Sequence, residues 1–338
     1  MKEQPVRQLY RILLVAGIAC GSGGTALAYD SAGELAVGGL RFPSTGDLAM
    51  DSEEVRISLQ RVSVRYQLSN ASDNPVTLSL TFPLPDIDLS EPDNLTLPSR
   101  DPVNFIDFET RVDGQPAKFS INQRAYIGDK DVTAVLGKLK FPVLPVGAHE
   151  VRIADLPAPT RDGLVSSGLL VPVGTSDNGR PLYTFGWIVK TSAVRRQLFP
   201  AGHRVTIELQ YRPGAGRAID TVLRKSLRQS KGLAPEIGRY RSDYCVTDAF
   251  LADIDRLAAS GARKSLIQER RISYLLNAGA NWPGPIRNFK LVVEPGIGDP
   301  LVSFCPGALK RSGPQPLELT ATNFKPDNDL KILMVGRF

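Results

Sequence analysis

Apolar and polar residues alternate along much of the first two-thirds of this chain. Val55, Ile57 and Leu59 share one parity, and Val62, Val64, Tyr66 and Leu68 share the other. Alternation with period two puts one face of each run in a core and the other in water, the signature of a half-buried strand. The change of phase at Gln60-Arg61 predicts an inserted residue, a bulge within one continued strand. Ser69 to Pro75 is turn chemistry, and Val76, Leu78, Leu80 and Phe82 form the expected return. The three segments predict a long antiparallel hairpin with one wet face.

A second hairpin is expected over Phe105–Val112 and Ala117–Ile121, joined by Asp113-Gly114-Gln115-Pro116. Asp131 to Leu139 reads as a short helix with Asp131 as its cap. Further strands are expected at Glu150–Ile153, Tyr183–Lys190 and His203–Tyr211. Trp187, inside the second of these, is expected in the core. Residues 29–214 are therefore expected to form an N-terminal antiparallel β-sandwich. From 215 to 240 the character changes, and Arg224, Lys225, Arg228 and Lys231 crowd a stretch expected to be a basic polar connector. Thr247 then caps a convincing helix, with Phe250, Leu251, Ile254, Leu257 and Ala258 on one side and Gly261 past its end. Strands resume near 267–275, 289–293, 301–304, 317–320 and 330–335, which predicts a smaller α+β domain over 241–338. The fold class is mainly β.

The first 28 residues lack this alternation. Lys2, Arg7 and Arg11 precede an apolar run from Ile12 to Cys20, and small residues lead to Ala26-Leu27-Ala28. That order reads as a secretory signal peptide over 1–28, cut after Ala28, and it predicts a periplasmic protein. Gly17 stands where a lipoprotein signal needs a bulky aliphatic, which disfavours acylation at Cys20. No later segment reaches the ~18 apolar residues of a spanning helix, so no stable membrane span is expected. The chain carries 41 Lys+Arg against 35 Asp+Glu, a net charge of +6. Lys2, Arg7, Arg11 and Glu3 of the leader supply +2 of it. The remaining charge is mild and mixed, which argues against a nucleic-acid partner.

Without the leader, Cys245 and Cys305 are the only cysteines. In an oxidising compartment they are expected to form one disulfide, the alternative being two buried thiols. Two sulfurs without a nearby His fall short of a zinc site. His149 and His203 are the only histidines, each closely following a glycine at the start of an inferred strand, and are expected to be solvent-facing turn residues. Asp51, Glu53 and Glu54, or Asp86 and Asp88, have the chemistry to ligate a hard cation; solvated strand ends are the simpler reading, so no metal and no cofactor is expected. The Gly38-Gly39 passage could cradle an anion but lacks P-loop spacing, so a turn is expected there. Trp282, between Asn281 and Pro283-Gly284-Pro285, is the best binding candidate with Asn281, because a rigid loop can hold an indole for stacking on carbohydrate or peptide. Ile286 and Phe289 continue the apolar pattern, which favours Trp282 as a core plug instead.

Three passages carry a resemblance. They are Glu34 to Leu40; Phe199-Pro200-Ala201-Gly202 leading to Tyr211-Arg212-Pro213; and the run from Asn281-Trp282-Pro283-Gly284-Pro285-Ile286 through Val302-Ser303-Phe304-Cys305 to Phe324-Lys325-Pro326-Asp327-Asn328-Asp329-Leu330. In order and content they resemble an uncharacterised family of exported bacterial proteins, a domain of unknown function. The resemblance implies a periplasmic, mostly β protein and brings no reaction or ligand with it. Tyr66 to Asn70 followed by Phe82 to Pro85 is loosely similar to vault/inter-α-trypsin β-sandwich modules.

No Gly-x-Ser-x-Gly elbow, HExxH or calcium-loop pattern occurs. The leading expectation is a non-catalytic binding or scaffold module for an envelope protein or glycan. The rival is an envelope-polymer hydrolase whose carboxylates the fold assembles. A third reading is a surface-assembly factor acting by strand addition at a sheet edge.

Overall fold

The computed structural model describes residues 31–32, 35–43, 46–91, 97–260, 266–276, 284–296, 298–306, 310–311 and 317–338. The expected leader lies outside them. Strands β1 (Ser31–Ala32), β2 (Val37–Gly38), β3 (Leu48–Ile57), β4 (Val62–Asn70), β5 (Val76–Pro83) and β6 (Ile87–Asp88) come first. They are followed by β7 (Glu109–Val112), β8 (Gln115–Pro116), β9 (Ser120–Ile127), β10 (Lys130–Asp131) and helices α1 (Thr133–Lys138) and α2 (Ala158–Ser166). A ribbon of β11 (Leu170–Thr175) and β12 (Pro181–Phe185) leads into β13 (Ile188–Phe199), β14 (Arg204–Tyr211) and β15 (Gly216–Ala218). Helices α3 (Lys225–Arg228), α4 (Ala234–Asp243) and α5 (Asp248–Ala259) separate these from β16 (Gln268–Leu275), β17 (Ile286–Val293), β18 (Leu301–Phe304), β19 (Lys310–Arg311), β20 (Leu317–Phe324) and β21 (Leu330–Gly336).

The protein is mainly β, as the alternation predicted, but several pairings differ from expectation. Ser58 to Arg61 is not a bulge but the turn of the β3–β4 hairpin. It is closed by Ser58 N–H donating to Arg61 O at 2.9 Å and by the Ser58 hydroxyl accepting from the Arg61 amide at 3.0 Å. A tight turn and a bulge both reverse the phase of alternation, so periodicity does not separate them. The register shift of this pair lies instead between Met50 and Ser52, at Asp51. The expected return strand also goes elsewhere. The second edge of β4 is taken by β14, paired from Ser69–Arg204 to Val62–Tyr211, and β5 pairs with β13 in a different sheet. Asn70 stabilises the crossing, its amide donating to Asn74 O and Phe199 O.

The Asp113-Gly114 turn holds both residues at positive φ, 47° and 76°, the geometry that joins two-residue hairpins. It joins β7 to β8, and β9 then leaves for the five-stranded sheet. Helix α1 begins at Thr133 rather than Asp131, and the Asp131 carboxylate accepts from the Thr133 amide at 2.9 Å. Residues 150–153 form no strand; they run from the short turn at Gly147–His149 into the one at Ile153–Asp155. Tyr183–Lys190 is two strands broken at Gly186-Trp187.

The larger sheets take the order β19-β20-β17-β3-β4-β14-β7-β8, β10-β9-β13-β5 and β1-β15-β16-β21-β18, with β6 beside β13 and β2 parallel beside β16. Parallel pairing of β17 with β3 puts strands from both sides of the expected division at residue 214 into one sheet. Residues 215–240 are not a free connector: they contain β15, α3 and the start of α4, and they bury Val222, Leu223 and Tyr240. Strand β21 is buried on both faces. Ile332 and Met334 join the main core with residues of all three sheets, while Leu333 and Val335 face Phe250, Leu251 and Ile254 of α5. That double burial explains its unbroken apolar run. The α5 cap is as expected, with the Thr247 hydroxyl accepting from the Phe250 amide at 3.2 Å.

Candidate functional site

Three elements of the six-stranded sheet end at one place. The sheet registers Tyr274 opposite Leu330 and Phe304 opposite Ile332, so the C-terminal ends of β16 and β18 meet the start of β21. The chain reaches β21 from β20 of the eight-stranded sheet through Lys325 to Asp329, and this crossing leaves a cleft of about 350 Å³. Leu276, Phe324 and Leu330, all buried, form its apolar floor. Ser242, Asp243, Asp327, Asn328, Asp329 and Lys331 supply polar groups around it. An apolar floor with a few placed polar groups is the usual composition of a small-ligand site.

Cys305 contributes to one wall, and its disulfide to Cys245 is present as expected, with Cα atoms 5.0 Å apart. Cys245 lies in the left-handed region at φ 51°, where the chain reverses between α4 and α5. Lys331 Nζ donates to Asp243 Oδ2 at 2.8 Å across the wall. That hydrogen bond holds the Asp243 carboxyl below the usual carboxylate range against the opposing effect of burial, so Asp243 stays an anion.

A second group of polar residues is buried beneath the Gly38-Gly39 passage. Glu53 shares the parity of Val55 and Ile57 and so faces inward, where it is 7% exposed. Tyr274 OH donates to Glu53 Oε1 at 3.4 Å, Tyr66 OH accepts from the Leu40 amide at 3.1 Å, and Tyr211 OH donates to Val37 O at 3.4 Å. A Cβ added at Gly39 would sit 1.9 Å from Tyr66 OH and 3.0 Å from Tyr274 OH, so close approach, not turn geometry or an anion, requires glycine there. Burial pushes the Glu53 carboxyl up to about 7, against the lowering effect of the Tyr274 hydrogen bond. Burial likewise raises all three phenols.

The acidic residues considered as cation ligands do not converge, and Asp51 and Glu53 are buried rather than solvated strand ends. Asp51 receives Arg204 at 3.0 Å and Arg287 at 2.6 Å, Glu53 is buried among phenols, and Glu54 turns to Arg56 on the opposite face. Asp86 faces Lys190, and Asp88 accepts from Ser90. Among the described residues no three metal-ligating side chains meet. His149 and His203 are both exposed; His149 ends a short turn, and the His203 ring nitrogen is 2.7 Å from Ala201 O. In the basic stretch, Arg224 pairs with Asp220 and Arg228 with Asp255, while Lys225 and Lys231 are exposed. Trp187 is core, its indole donating to Val143 O at 2.8 Å. Asn281 and Trp282 lie outside the described residues.

Sequence reasoning missed Glu269, which is fully buried. It accepts from Thr221 and from Tyr240 OH at 2.6 Å, with Arg271 at 3.5 Å. Its strand alternates imperfectly and Glu269 follows no motif. The cleft loop Phe324–Leu330 contributed to the resemblance, but nothing in its sequence marked it as one side of a cleft.

A family model described as a domain of unknown function (DUF4424) matches residues 28–333, and this chain belongs to that family. No curated protein matches the chain. Among solved structures, a protein of Legionella pneumophila subsp. pneumophila str. Philadelphia 1, provisionally named a nutrient binding protein, is similar at 15% identity and TM-score 0.46. That match covers 90% of this chain and 72% of the Legionella chain. Among the described residues, no helix is long and apolar enough to cross a membrane.

Proposed function

We propose that this chain is an exported, non-catalytic binding protein of the bacterial cell envelope, with the cleft beside Cys245–Cys305 as its binding site. The observation that carries the reading is the composition of that cleft, an apolar floor of Leu276, Phe324 and Leu330 under a polar rim. The leader-like start and the disulfide support an oxidising compartment. N-terminal sequencing of exported protein should find Tyr29 first.

Site-specific photocrosslinking in cells tests the cleft. A photoreactive residue at Asn328, on the rim, should give discrete adducts with a glycan or peptide. The same residue at Leu198, exposed on β13 of another sheet, should not. Equal labelling at both positions overturns the assignment.

One observation favours hydrolysis as a second reading: Asp243, Asp327 and Asp329 line a single cleft, and polymer hydrolysis uses paired carboxylates. Asp243 is poorly suited as the acid, because Lys331 keeps it ionised. Cleavage of the adducted polymer by wild type, lost in Asp327→Asn with binding retained, would establish the enzyme.

A further inference from the structure

The segment Leu35 to Phe42 crosses the molecule as a strap. Leu35 N–H donates to Gly214 O at 2.8 Å, β2 runs parallel to β16 at Tyr274-Leu275, and Arg41 pairs with Thr81 of β5. Val37, Leu40 and Phe42 are buried beneath it. Between these anchors it rests on the hydroxyls of Tyr66 and Tyr211, and Gly39 lies flush against Tyr66 and Tyr274. Glu53 lies against the Tyr274 hydroxyl, 3.4 Å away, and next to Tyr66.

The groups facing Glu53 are unusual for a buried carboxyl. From β4 comes Tyr66, which is paired opposite it, and from β17 comes Phe289, paired on its other side. Tyr274 of β16 reaches its carboxylate, and Tyr211 of β14 lies beyond Tyr66. The one charged residue of the strap, Arg41, is exposed and does not act on Glu53; toward the phenols the strap presents backbone and apolar side chains. The charged neighbours on its own strand look elsewhere, Asp51 to Arg204 and Arg287 and Glu54 to Arg56. No cation acts on Glu53 among the described residues. Neutral, the carboxyl keeps its hydrogen bond from Tyr274 and buries no charge. Ionised, it is a buried charge with no counter-ion, and the cheapest route to water is to lift the short strap that covers it.

We infer that the Leu35–Phe42 strap is a proton-controlled latch, closed over Tyr66, Tyr211 and Tyr274 while Glu53 is neutral and loosened as Glu53 ionises. The strap pairs with β16 one residue before Leu276 on the cleft floor. The latch stands independently of whether that cleft binds anything.

Hydrogen exchange of the full chain, followed by mass spectrometry and corrected for intrinsic rates, reads the latch directly. Glu53 has an ordinary carboxyl when the strap is open and one raised to about 7 when it is closed. Protection of residues 35–42 should therefore fall by up to tenfold per pH unit from about 4.5 to 7, roughly 300-fold in all, and then level off. Glu53→Gln, a neutral isostere, should give strong protection at every pH. Should that variant fail to fold, Tyr274→Phe serves, because it removes the hydrogen bond that favours the anion and should move the plateau to higher pH. A flat wild-type profile, a slope that survives Glu53→Gln, or an unmoved plateau in Tyr274→Phe overturns the latch.

Discussion

Glu53 and Glu269 are both buried carboxylates on central strands, and burial raises the proton affinity of both. Their surroundings differ. Glu269 has Thr221, Tyr240 and Arg271 opposing that rise, so its oxygens are satisfied and its charge has a partner. Among the described residues Glu53 has a single hydrogen bond, at 3.4 Å, and no cation. The same residue type therefore serves two ends. One is a fixed polar staple that fastens residues 215–240 to β16. The other is a group whose charge state remains open near neutrality.

The largest effect expected from this contrast is at Glu269. Glu269→Ala leaves Arg271, with its side chain 16% exposed, without its buried anion, and strands the hydroxyls of Thr221 and Tyr240. Removing one partner of a buried pair typically costs about 3–5 kcal/mol. Urea denaturation should register that loss with the disulfide intact. A loss under about 1 kcal/mol would mean that Glu269 is no staple and that the contrast fails on this side.

Glu53 should instead alter the dependence of stability on pH. Its carboxyl is raised from 4.5 to about 7 in the folded protein, so the folded state holds a proton that the unfolded state releases within that window. The contribution is fully present below about pH 4.5 and is lost as pH rises through 7. The difference in unfolding free energy between Glu53→Gln and wild type should therefore grow with pH by roughly 3 kcal/mol and then flatten. Taking the difference removes the parallel titration of Glu269. A difference constant from pH 4.5 to 8 would show that Glu53 ionises as freely in the folded chain as in the unfolded one.

How far these sites could be read from sequence follows from what periodicity encodes. Alternation at Val62 to Leu68 and Val205 to Tyr211 identified both strands, because each has one dry face. It did not pair them, since register between distant strands depends on which edge is free. The hairpin expected from β4 to β5 lost to β14, whose residues match β4 along eight consecutive pairs. Cys245 and Cys305 could be joined because they were the only candidates. Glu53 was noticed beside Asp51 and Glu54 as a possible cation ligand and read as a solvated strand end, but strand geometry and the shift at Asp51 send the three to different surroundings and bury Glu53. Glu269 had no acidic neighbours to draw attention. Gly39 stood in a passage that supported the resemblance, yet its role depends on Tyr66 and Tyr274, 27 and 235 positions away in the chain.

The smallest expected effect sharpens the comparison by serving as its control. Thr247 caps α5 through a single hydroxyl that accepts from the Phe250 amide at 3.2 Å, on the side of the molecule that Glu269 fastens. Replacing such a cap by alanine costs about 1 kcal/mol, because one backbone N–H of the first turn loses its acceptor while the helix still buries Phe250, Leu251 and Ile254. Thr247→Ala should therefore lower the urea midpoint slightly and equally at pH 5 and pH 8, since no titrating group touches the cap hydrogen bond. It should also leave the exchange profile of residues 35–42 unchanged, because α5 packs against Leu333 and Val335 on the face of β21 turned away from the strap's core. If that small loss varied with pH, or if it loosened the strap, the two carboxylates would belong to one coupled network. Their separate behaviour would then have to be explained through β21, whose residues are buried in both cores.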